Sequence, residues 1–355
     1  MQKSAKKNII YSILLLLVVF MVYLYRQNKE TVTSPISDNQ KTVFSGKTMG
    51  TTYRVVYLDP GGRNFKKDID SILVNFNQAL STYISDSELS RLNKYDSLVF
   101  ESEYFYPVLK TSKEVFSLTD GAFDPTIGPL VNAWGFGPDG PSLQDSLGVK
   151  QLLERVGFEN IVFDEKGVRK TETDVYLDFS AIAKGFGVDV VARFLSEQGI
   201  QNYLVEIGGE LKGNGVNEKG ELWKVGVSQP GEEGLANEIY SIVALENKGL
   251  ATSGNYRNFY IKDSVKYSHT ISPFTGYPVV HRLLSATVVA ESCILADAYA
   301  TAFMVLGMDQ AKEIQKSVEG IEIFLIFNDD QGQIQSYVSD GLAPFLTSVA
   351  AQESK

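Results

Sequence analysis

Asp297 and Thr301 are the residues whose types and spacing most clearly allow chemistry, since they lie four positions apart between Ser292 and Gly307. Ser292 can cap a helix and Gly307 can end one, so both side chains are predicted on one helix face. Most other residues of this segment are apolar or small, which predicts a buried helix. A buried carboxylate requires a cation or hydrogen-bond donors. Magnesium, which binds carboxylate and hydroxyl oxygens, would satisfy Asp297, and so would a backbone donor or an arginine.

A second candidate site is the junction Asp178–Gly185. It joins a predicted strand at Val175–Ser180 to a predicted helix at Ala181–Gln198. The first turn of a helix exposes N–H groups that favour anions such as a pyrophosphate, and Lys184 would add positive charge there. The alternative is an ordinary capped helix with a solvated lysine.

His269 is one of two histidines in the chain. It ends a predicted strand, precedes a Pro-Phe-Thr-Gly turn and lies upstream of the Asp297 segment. An imidazole titrates near neutral pH and can therefore transfer protons. Histidines at strand ends also have purely structural roles, so both interpretations stay open.

Composition restricts the class of protein. The chain has 355 residues, 44% of them hydrophobic and 21% charged, which suits one large or two moderate globular domains. The formal net charge of −10 argues against a nucleic-acid partner. Cys293 is the single cysteine, so an intramolecular disulfide is impossible.

The order of predicted elements indicates an α+β fold with largely antiparallel mixed sheets and helices packed against them. Amphipathic patterns predict helices at Asp68–Leu80 and Val108–Leu118. Adjacent strand patterns follow at Asn202–Ile207, Leu222–Gln229 and Ile239–Leu245.

The N-terminus has the pattern of a membrane anchor. Three lysines precede Ile9–Tyr25, an apolar run of about 17 residues, which is the lower end of a membrane span. We therefore expect a signal-anchor at residues 1–26, a linker at 27–41 and the folded domain at 42–350. The alternative is a cleaved signal peptide, which would also export the domain. The lysines should remain in the cytoplasm, which places the domain on the periplasmic face of the inner membrane.

Several motifs of the chain together resemble the ApbE family of FAD:protein FMN transferases. They occur in the family's order: GKTMGTTY from Gly46, LSTY from Leu80, GAFDPTIGPLVNAWGFG from Gly121, LDFSAIAKGFGVD from Leu177, VEIGGELKGNG from Val205, ATSGNY from Ala251, HTISPFTGYPV from His269 and ADAYATAFMVLG from Ala296. The resemblance covers the chain from about residue 44 to 345. It implies an ApbE-like fold and a transferase that uses Mg²⁺ and FAD.

The resemblance also implies site residues. The positions that match FAD contacts are Met49, Tyr83, Ala122, Phe123, Asp124, Asp178, Lys184 and Ile271. The positions that match metal ligands are Ala181 through its carbonyl, Asp297, Thr301 and Ala300, where some members have a second aspartate. His269 matches a residue that activates the acceptor hydroxyl, with Asp178 as the other candidate base. Ser272 stands before Pro273 where many members have aspartate.

The implied reaction transfers FMN from FAD to a Thr or Ser hydroxyl of a protein and releases AMP. Flavoprotein subunits of membrane redox complexes, such as the sodium-pumping NADH:quinone oxidoreductase, are the implied acceptors. Two other hypotheses remain: a Mg²⁺-dependent FAD pyrophosphatase and a non-catalytic FAD-binding protein. A redox enzyme is disfavoured because the chain lacks a dinucleotide fingerprint.

Overall fold

The structure, a computed structural model, describes residues 40–137, 146–231, 238–255, 259–262 and 265–348. The α-helices of these ranges are α1 Lys66–Leu80, α2 Glu88–Lys94, α3 Phe105–Leu118, α4 Gly128–Ala133, α5 Ser146–Leu153, α6 Ala183–Glu197, α7 Cys293–Leu306 and α8 Met308–Ser317. The strands are β1 Gln40–Thr48, β2 Thr51–Asp59, β3 Ser97–Val99, β4 Ile161–Phe163, β5 Gly167–Lys170, β6 Asn202–Ile207, β7 Glu210–Asn214, β8 Trp223–Ser228, β9 Ile239–Leu245, β10 Gly249–Gly254, β11 Phe259–Lys262, β12 Val265–Ser268, β13 Leu283–Ala290, β14 Glu322–Asn328, β15 Ile334–Val338 and β16 Leu346–Ser348.

A large sheet with the strand order β1-β2-β6-β7-β10-β13-β14-β15 organises the fold. Each neighbouring pair in it is antiparallel. The smaller sheets β16-β9-β8, β3-β5-β4 and β11-β12 are antiparallel too. The predicted α+β class is confirmed, and the described sheets are less mixed than expected, because they contain no parallel pair.

The large sheet is buried on both faces. Helices α1, α6 and α7 cover one face, and the sheet β16-β9-β8 covers the other. Strand β14 demonstrates this division: Ile323 and Leu325 pack in the core that contains α7, while Phe324 and Ile326 pack against the small sheet. Successive side chains of a strand point to opposite faces, so this apolar run is explained by two cores.

Helix α7 has the predicted bounds and the predicted burial. Gly307 ends it with a positive φ of 81°, a conformation that favours glycine. Ser292 occupies the N-cap position, but its side chain makes no capping bond. The Asp189 carboxylate of α6 instead accepts a hydrogen bond from the backbone N–H of Ile294 at 2.8 Å.

The predicted strand at Val175–Ser180 is wrong. Its alternating apolar residues are buried, but this extended segment pairs with no described strand. The Asn93 side chain hydrogen-bonds both the N–H and the carbonyl oxygen of Leu177, at 2.8 Å each. The N–H of Asp178 donates to the carbonyl oxygen of Pro125 at 2.7 Å. The period of two therefore reflects burial rather than sheet pairing.

The predicted anchor and most of the predicted linker lie outside the described residues. Strand β1 begins at Gln40, so the last two residues of the predicted linker belong to the sheet. In the described ranges, the helices are too short or too polar to cross a membrane.

Helices α6 and α7 pack closely against each other at Gly185. A Cβ atom added there would lie 2.3 Å from the carbonyl oxygen of Cys293 and 2.7 Å from Cβ of Asp297. A backbone atom cannot move away as a flexible side chain can. Glycine at this position therefore sets the distance between the two helices.

We expect Gly185→Ala to lower the free energy of unfolding by about 1–3 kcal/mol, because the new methyl group forces α6 and α7 apart. Urea unfolding followed by circular dichroism measures this. Gly61→Ala is the control, since its added Cβ would approach the nearest atom only to 3.5 Å. Equal stability of the two variants would contradict the close contact.

Candidate active site

A cavity with a volume of about 280 Å³, here called cavity A, opens beside the N-terminal end of α6. It brings together most of the residues that the sequence singled out. Of the predicted site residues, it is lined by Ala122, Phe123, Asp124, Asp178, Ala181, Lys184, His269, Ile271, Asp297 and Thr301. These residues come from loops, from α6 and from α7, so the tertiary fold creates the cavity.

A second cavity of about 680 Å³, here called cavity B, adjoins the first. Its walls include the predicted residues Met49 and Tyr83. Met49 and Gly50 form the two-residue turn between β1 and β2, with positive φ values of 49° and 69°, which a tight hairpin turn of this kind requires. Tyr83 is 68% exposed, and partial desolvation of its hydroxyl together with the Asp178 charge raises its pKa.

The two cavities meet at Asp178, Ser180 and Lys184, which line both of them. Each cavity falls within or near the size range of small-molecule sites. The predicted FAD contacts are thus divided into two groups with a charged junction between them. This division fits a ligand with two bulky ends joined by a charged linker.

Asp297 connects α7 to the first turn of α6. Its Oδ2 atom accepts a hydrogen bond from the N–H of Gly185 at 2.9 Å, and its Oδ1 atom lies 3.9 Å from Nζ of Lys184. A contact in the opposite direction also joins the two helices, since Asp189 of α6 caps the N-terminus of α7. The Asp189 carboxylate accepts a further hydrogen bond from Nζ of Lys212 at 2.9 Å. Burial raises the pKa of Asp297, while Lys184 and the Gly185 amide oppose that rise.

This geometry changes the hypothesis of an anion site at the start of α6. The N–H of Ala183 donates to the carbonyl oxygen of Phe179 at 2.8 Å, and the N–H of Gly185 is bonded to Asp297. These groups of the helix end therefore already have partners. The Lys184 side chain reaches both cavities and supplies positive charge at their junction, where its ammonium is already paired with Glu210.

Glu210 is a site residue that the sequence analysis missed. It follows the Gly208-Gly209 turn and lines cavity A, and its Oε1 atom accepts a hydrogen bond from Nζ of Lys184 at 3.0 Å. Burial raises the pKa of Glu210 to about 7, although Lys184 opposes this. The Asp297 and Glu210 carboxylates outweigh the effect of burial on Lys184 and raise the pKa of its ammonium.

The donor set fits a magnesium ion. The Asp297 carboxylate, the Thr301 hydroxyl and the Ala181 carbonyl belong to residues that line cavity A, and all three donors are oxygens. The Oε2 atom of Glu210 is buried without a hydrogen-bond partner. Two carboxyl groups thus surround one ammonium, and a bound cation would favour the ionised form of both.

A metal here would need ligands from water or substrate as well. In the described ranges, no group of three or more histidine, cysteine, aspartate and glutamate side chains is suited to a metal. Mg²⁺ commonly binds one or two carboxylates together with waters and substrate phosphates. Ala300, the fourth predicted ligand, is 1% exposed and lies in the apolar core of α7, away from the walls of both cavities.

The two candidate bases differ in their surroundings. The Oδ1 atom of Asp178 accepts hydrogen bonds from the N–H and the hydroxyl of Ser180, so it stabilises the local turn. His269 lines cavity A, with its ring 6.3 Å from that of Phe136. Its ring is therefore at the cavity wall, and Asp178 lines the same cavity, so both candidate bases border the space for a ligand.

Asp124 lies in a polar turn that also lines cavity A. Its Oδ1 atom accepts hydrogen bonds from the N–H and the hydroxyl of Thr126, at 2.8 and 2.6 Å. The Thr126 hydroxyl in turn accepts from the N–H of Gly157 at 2.7 Å. Burial raises the pKa of Asp124 to about 6 despite the bonds to Thr126.

Comparison with known proteins decides the family. A model of the ApbE family matches residues 49–325, which is most of the chain. The chain belongs to the ApbE family. The sequence-based assignment to this family is therefore confirmed.

Curated relatives of this ApbE chain include proteins named FAD:protein FMN transferase. The one from Vibrio cholerae is 38% identical over 317 residues, which cover 85% of this chain and 92% of the relative. The one from Haemophilus influenzae is 40% identical over 304 residues, which cover 81% and 87%. A solved flavin transferase ApbE from Vibrio cholerae superposes with a TM-score of 0.79 at 37% identity, over 86% of this chain and 99% of that one.

The family motifs could have revealed Glu210, since the segment VEIGGELKGNG contains it. Ser180 lies in another matched segment. Neither residue was singled out, because glutamate and serine next to turns are usually solvated. Only the tertiary structure places Glu210 against Lys184.

Asp124→Asn should become relatively more stable than the wild type as pH rises from 4 to 6. The raised pKa means that the folded state binds a proton more tightly than the unfolded state, so wild-type stability falls through this interval. The variant does not lose stability in this way, so its free energy of unfolding relative to the wild type should rise by about 3 kcal/mol at most over this interval. Unfolding of the ligand-free protein at several pH values measures it, with the exposed Asp120→Asn as control. A difference independent of pH would contradict the raised pKa.

Proposed function

We propose that this ApbE-family protein transfers FMN from FAD to a Thr or Ser hydroxyl of another protein and releases AMP, with Mg²⁺ bound at Asp297. The observation that carries the proposal is the junction of two cavities at Lys184, beside Asp297 and Thr301. A dinucleotide has two bulky ends and a central diphosphate, which matches that arrangement. The predicted class of enzyme, a transferase, is confirmed by the names of the relatives.

In the proposed reaction, the acceptor oxygen bonds to the phosphorus of the FMN moiety, and the bond from that phosphorus to the AMP oxygen breaks. Phosphoryl chemistry of this kind depends mainly on positioning and charge neutralisation. Lys184 binds the diphosphate at the cavity junction, and cavities A and B hold the two ends of FAD. His269 accepts the proton of the attacking hydroxyl.

Mg²⁺ held by Asp297, Thr301 and the Ala181 carbonyl would polarise the diphosphate and offset its charge. The chain's own contribution is to keep those oxygens together. Asp297 is fixed by the Gly185 amide, and Thr301 lies one turn further along α7.

Asp297→Ala should abolish Mg²⁺-dependent transfer, because the variant loses the only carboxylate among the proposed ligands. The assay combines FAD, Mg²⁺ and an apo-flavoprotein subunit with a threonine acceptor, and intact mass spectrometry detects attached FMN. Asp309→Ala on the exposed start of α8 is the matched control. Removal of metal with EDTA should reproduce the effect of Asp297→Ala in the wild type.

Three other results of this assay would change the proposal. Wild-type rates in Asp297→Ala would exclude that residue as a metal ligand. Free FMN and AMP with an unmodified acceptor would favour the pyrophosphatase. Unchanged FAD would leave only a flavin-binding role.

His269→Gln should lower kcat for transfer by about 10²-fold or more, because it removes the proton acceptor. The affinity for FAD should remain near the wild-type value. His281→Gln is the control, since Nε2 of His281 lies 2.7 Å from the carbonyl oxygen of Met304 and takes no part in either cavity. An unchanged kcat in His269→Gln would exclude His269 as the base.

We further propose that the apolar run at Ile9–Tyr25 anchors the chain and that the acceptor lies outside the cytoplasm. The support is the apolar run and the lysines that precede it. A fusion of alkaline phosphatase to the C-terminus should be active in cells if the domain is exported. An inactive but full-length fusion would contradict export.

A further inference from the structure

A groove of about 360 Å³, here called the β8 groove, runs between strand β8 and the β6–β7 hairpin. The consecutive residues Lys224–Ser228 all line it. Neighbouring side chains of a strand point to opposite faces, so a wall formed by consecutive residues is the backbone edge of the strand. The opposite wall includes every second residue from Leu204 through Glu206 to Gly208, so it is formed by one face of β6 and by the turn that follows it.

Strand β8 is an edge strand of its three-stranded sheet. The strand order is β16-β9-β8, and among the described strands β8 pairs only with β9. Val225 and Val227 are buried against the large sheet, whereas Lys224 and Gly226 are exposed. An exposed strand edge of this kind can add one further extended strand through main-chain hydrogen bonds.

The β8 groove leads to the proposed reaction centre. Gly208 and Thr252 line both the groove and cavity A. A Cβ atom added to Gly208 would lie 3.2 Å from Cδ of Lys184. The end of the groove is therefore adjacent to the group that, in the proposed function, binds the diphosphate.

A transferase that acts on a protein needs a surface for a polypeptide as well as for the nucleotide. Cavities A and B accommodate the two ends of FAD in the proposed function. The β8 groove adjoins cavity A and offers a strand edge instead of a closed pocket. From Leu204 to Gly208 it spans about 13 Å, enough for roughly four extended residues.

We propose that the β8 groove binds the acceptor polypeptide as an added β-strand along the edge of β8, with its Thr or Ser hydroxyl placed at the Gly208 end. This inference depends on the proposed function. Main-chain hydrogen bonds supply the affinity and fix the register, so the hydroxyl reaches the phosphorus beside Lys184. Alternate side chains of the segment face Leu204 and Glu206 and supply the specificity.

The test uses backbone methylation of the acceptor. Mass spectrometry first locates the threonine that the full-length wild-type protein modifies, and a peptide of ten residues around it is synthesised. Each backbone nitrogen is then methylated singly, and kcat/KM for the peptide is measured with FAD and Mg²⁺. Because every second N–H of a paired strand points to its partner, methylation at alternate positions should lower kcat/KM at least tenfold and leave the intervening positions within about twofold.

A variant of the protein gives an independent measurement with the intact acceptor. Glu206→Trp fills the β8 groove and should raise KM for the acceptor subunit about tenfold, with the affinity for FAD unchanged. Val99→Trp is the control, because Val99 is a strand residue that is 77% exposed and does not line the β8 groove.

The outcomes separate the two proposals. Two results together would overturn the proposed role of the β8 groove while leaving the proposed function intact. They are a kcat/KM that does not depend on which backbone nitrogen is methylated, and a wild-type KM for the acceptor subunit in Glu206→Trp. Absence of transfer by the wild type to every flavoprotein subunit tried would overturn the proposed function and this inference with it.

Discussion

The contact between the Asp297 carboxylate and the Gly185 amide is the constraint on which the site depends. It joins α7 to the start of α6, and it is possible because residue 185 has no side chain. Asp189 completes the connection in the opposite direction by capping α7. Two helices that provide each other's terminal hydrogen bonds cannot shift independently, so the oxygens at the cavity wall stay in place.

The same contact carries charged groups that the proposed function would use. Asp297 and Glu210 share Lys184, and their two carboxylates exceed its single positive charge. A divalent cation would restore the balance and, with Lys184, would attract a diphosphate. In the proposed function, the cost of placing these charges together would be offset when metal and substrate bind together.

Local patterns and motifs predicted much of this molecule. The bounds of α7 follow from its apolar residues and Gly307, and strand β9 was placed at its observed ends. The prediction of a strand at Val175–Ser180 was wrong. Alternating apolar residues indicate which side chains are buried, but they do not show what the backbone bonds to, and here the partner is the side chain of Asn93. Glu210 and the cap from Asp189 were missed, because both act on residues far away in sequence. The meeting of two cavities at Lys184 is likewise a property of the tertiary fold.

The most direct test of the account is a crystal structure of this protein with FAD and Mn²⁺, in which anomalous scattering locates the metal. The account predicts one FAD across cavities A and B, with its diphosphate beside Lys184 and the metal on the Asp297 and Thr301 oxygens. FAD confined to a single cavity, or a metal bound away from Asp297, would contradict it.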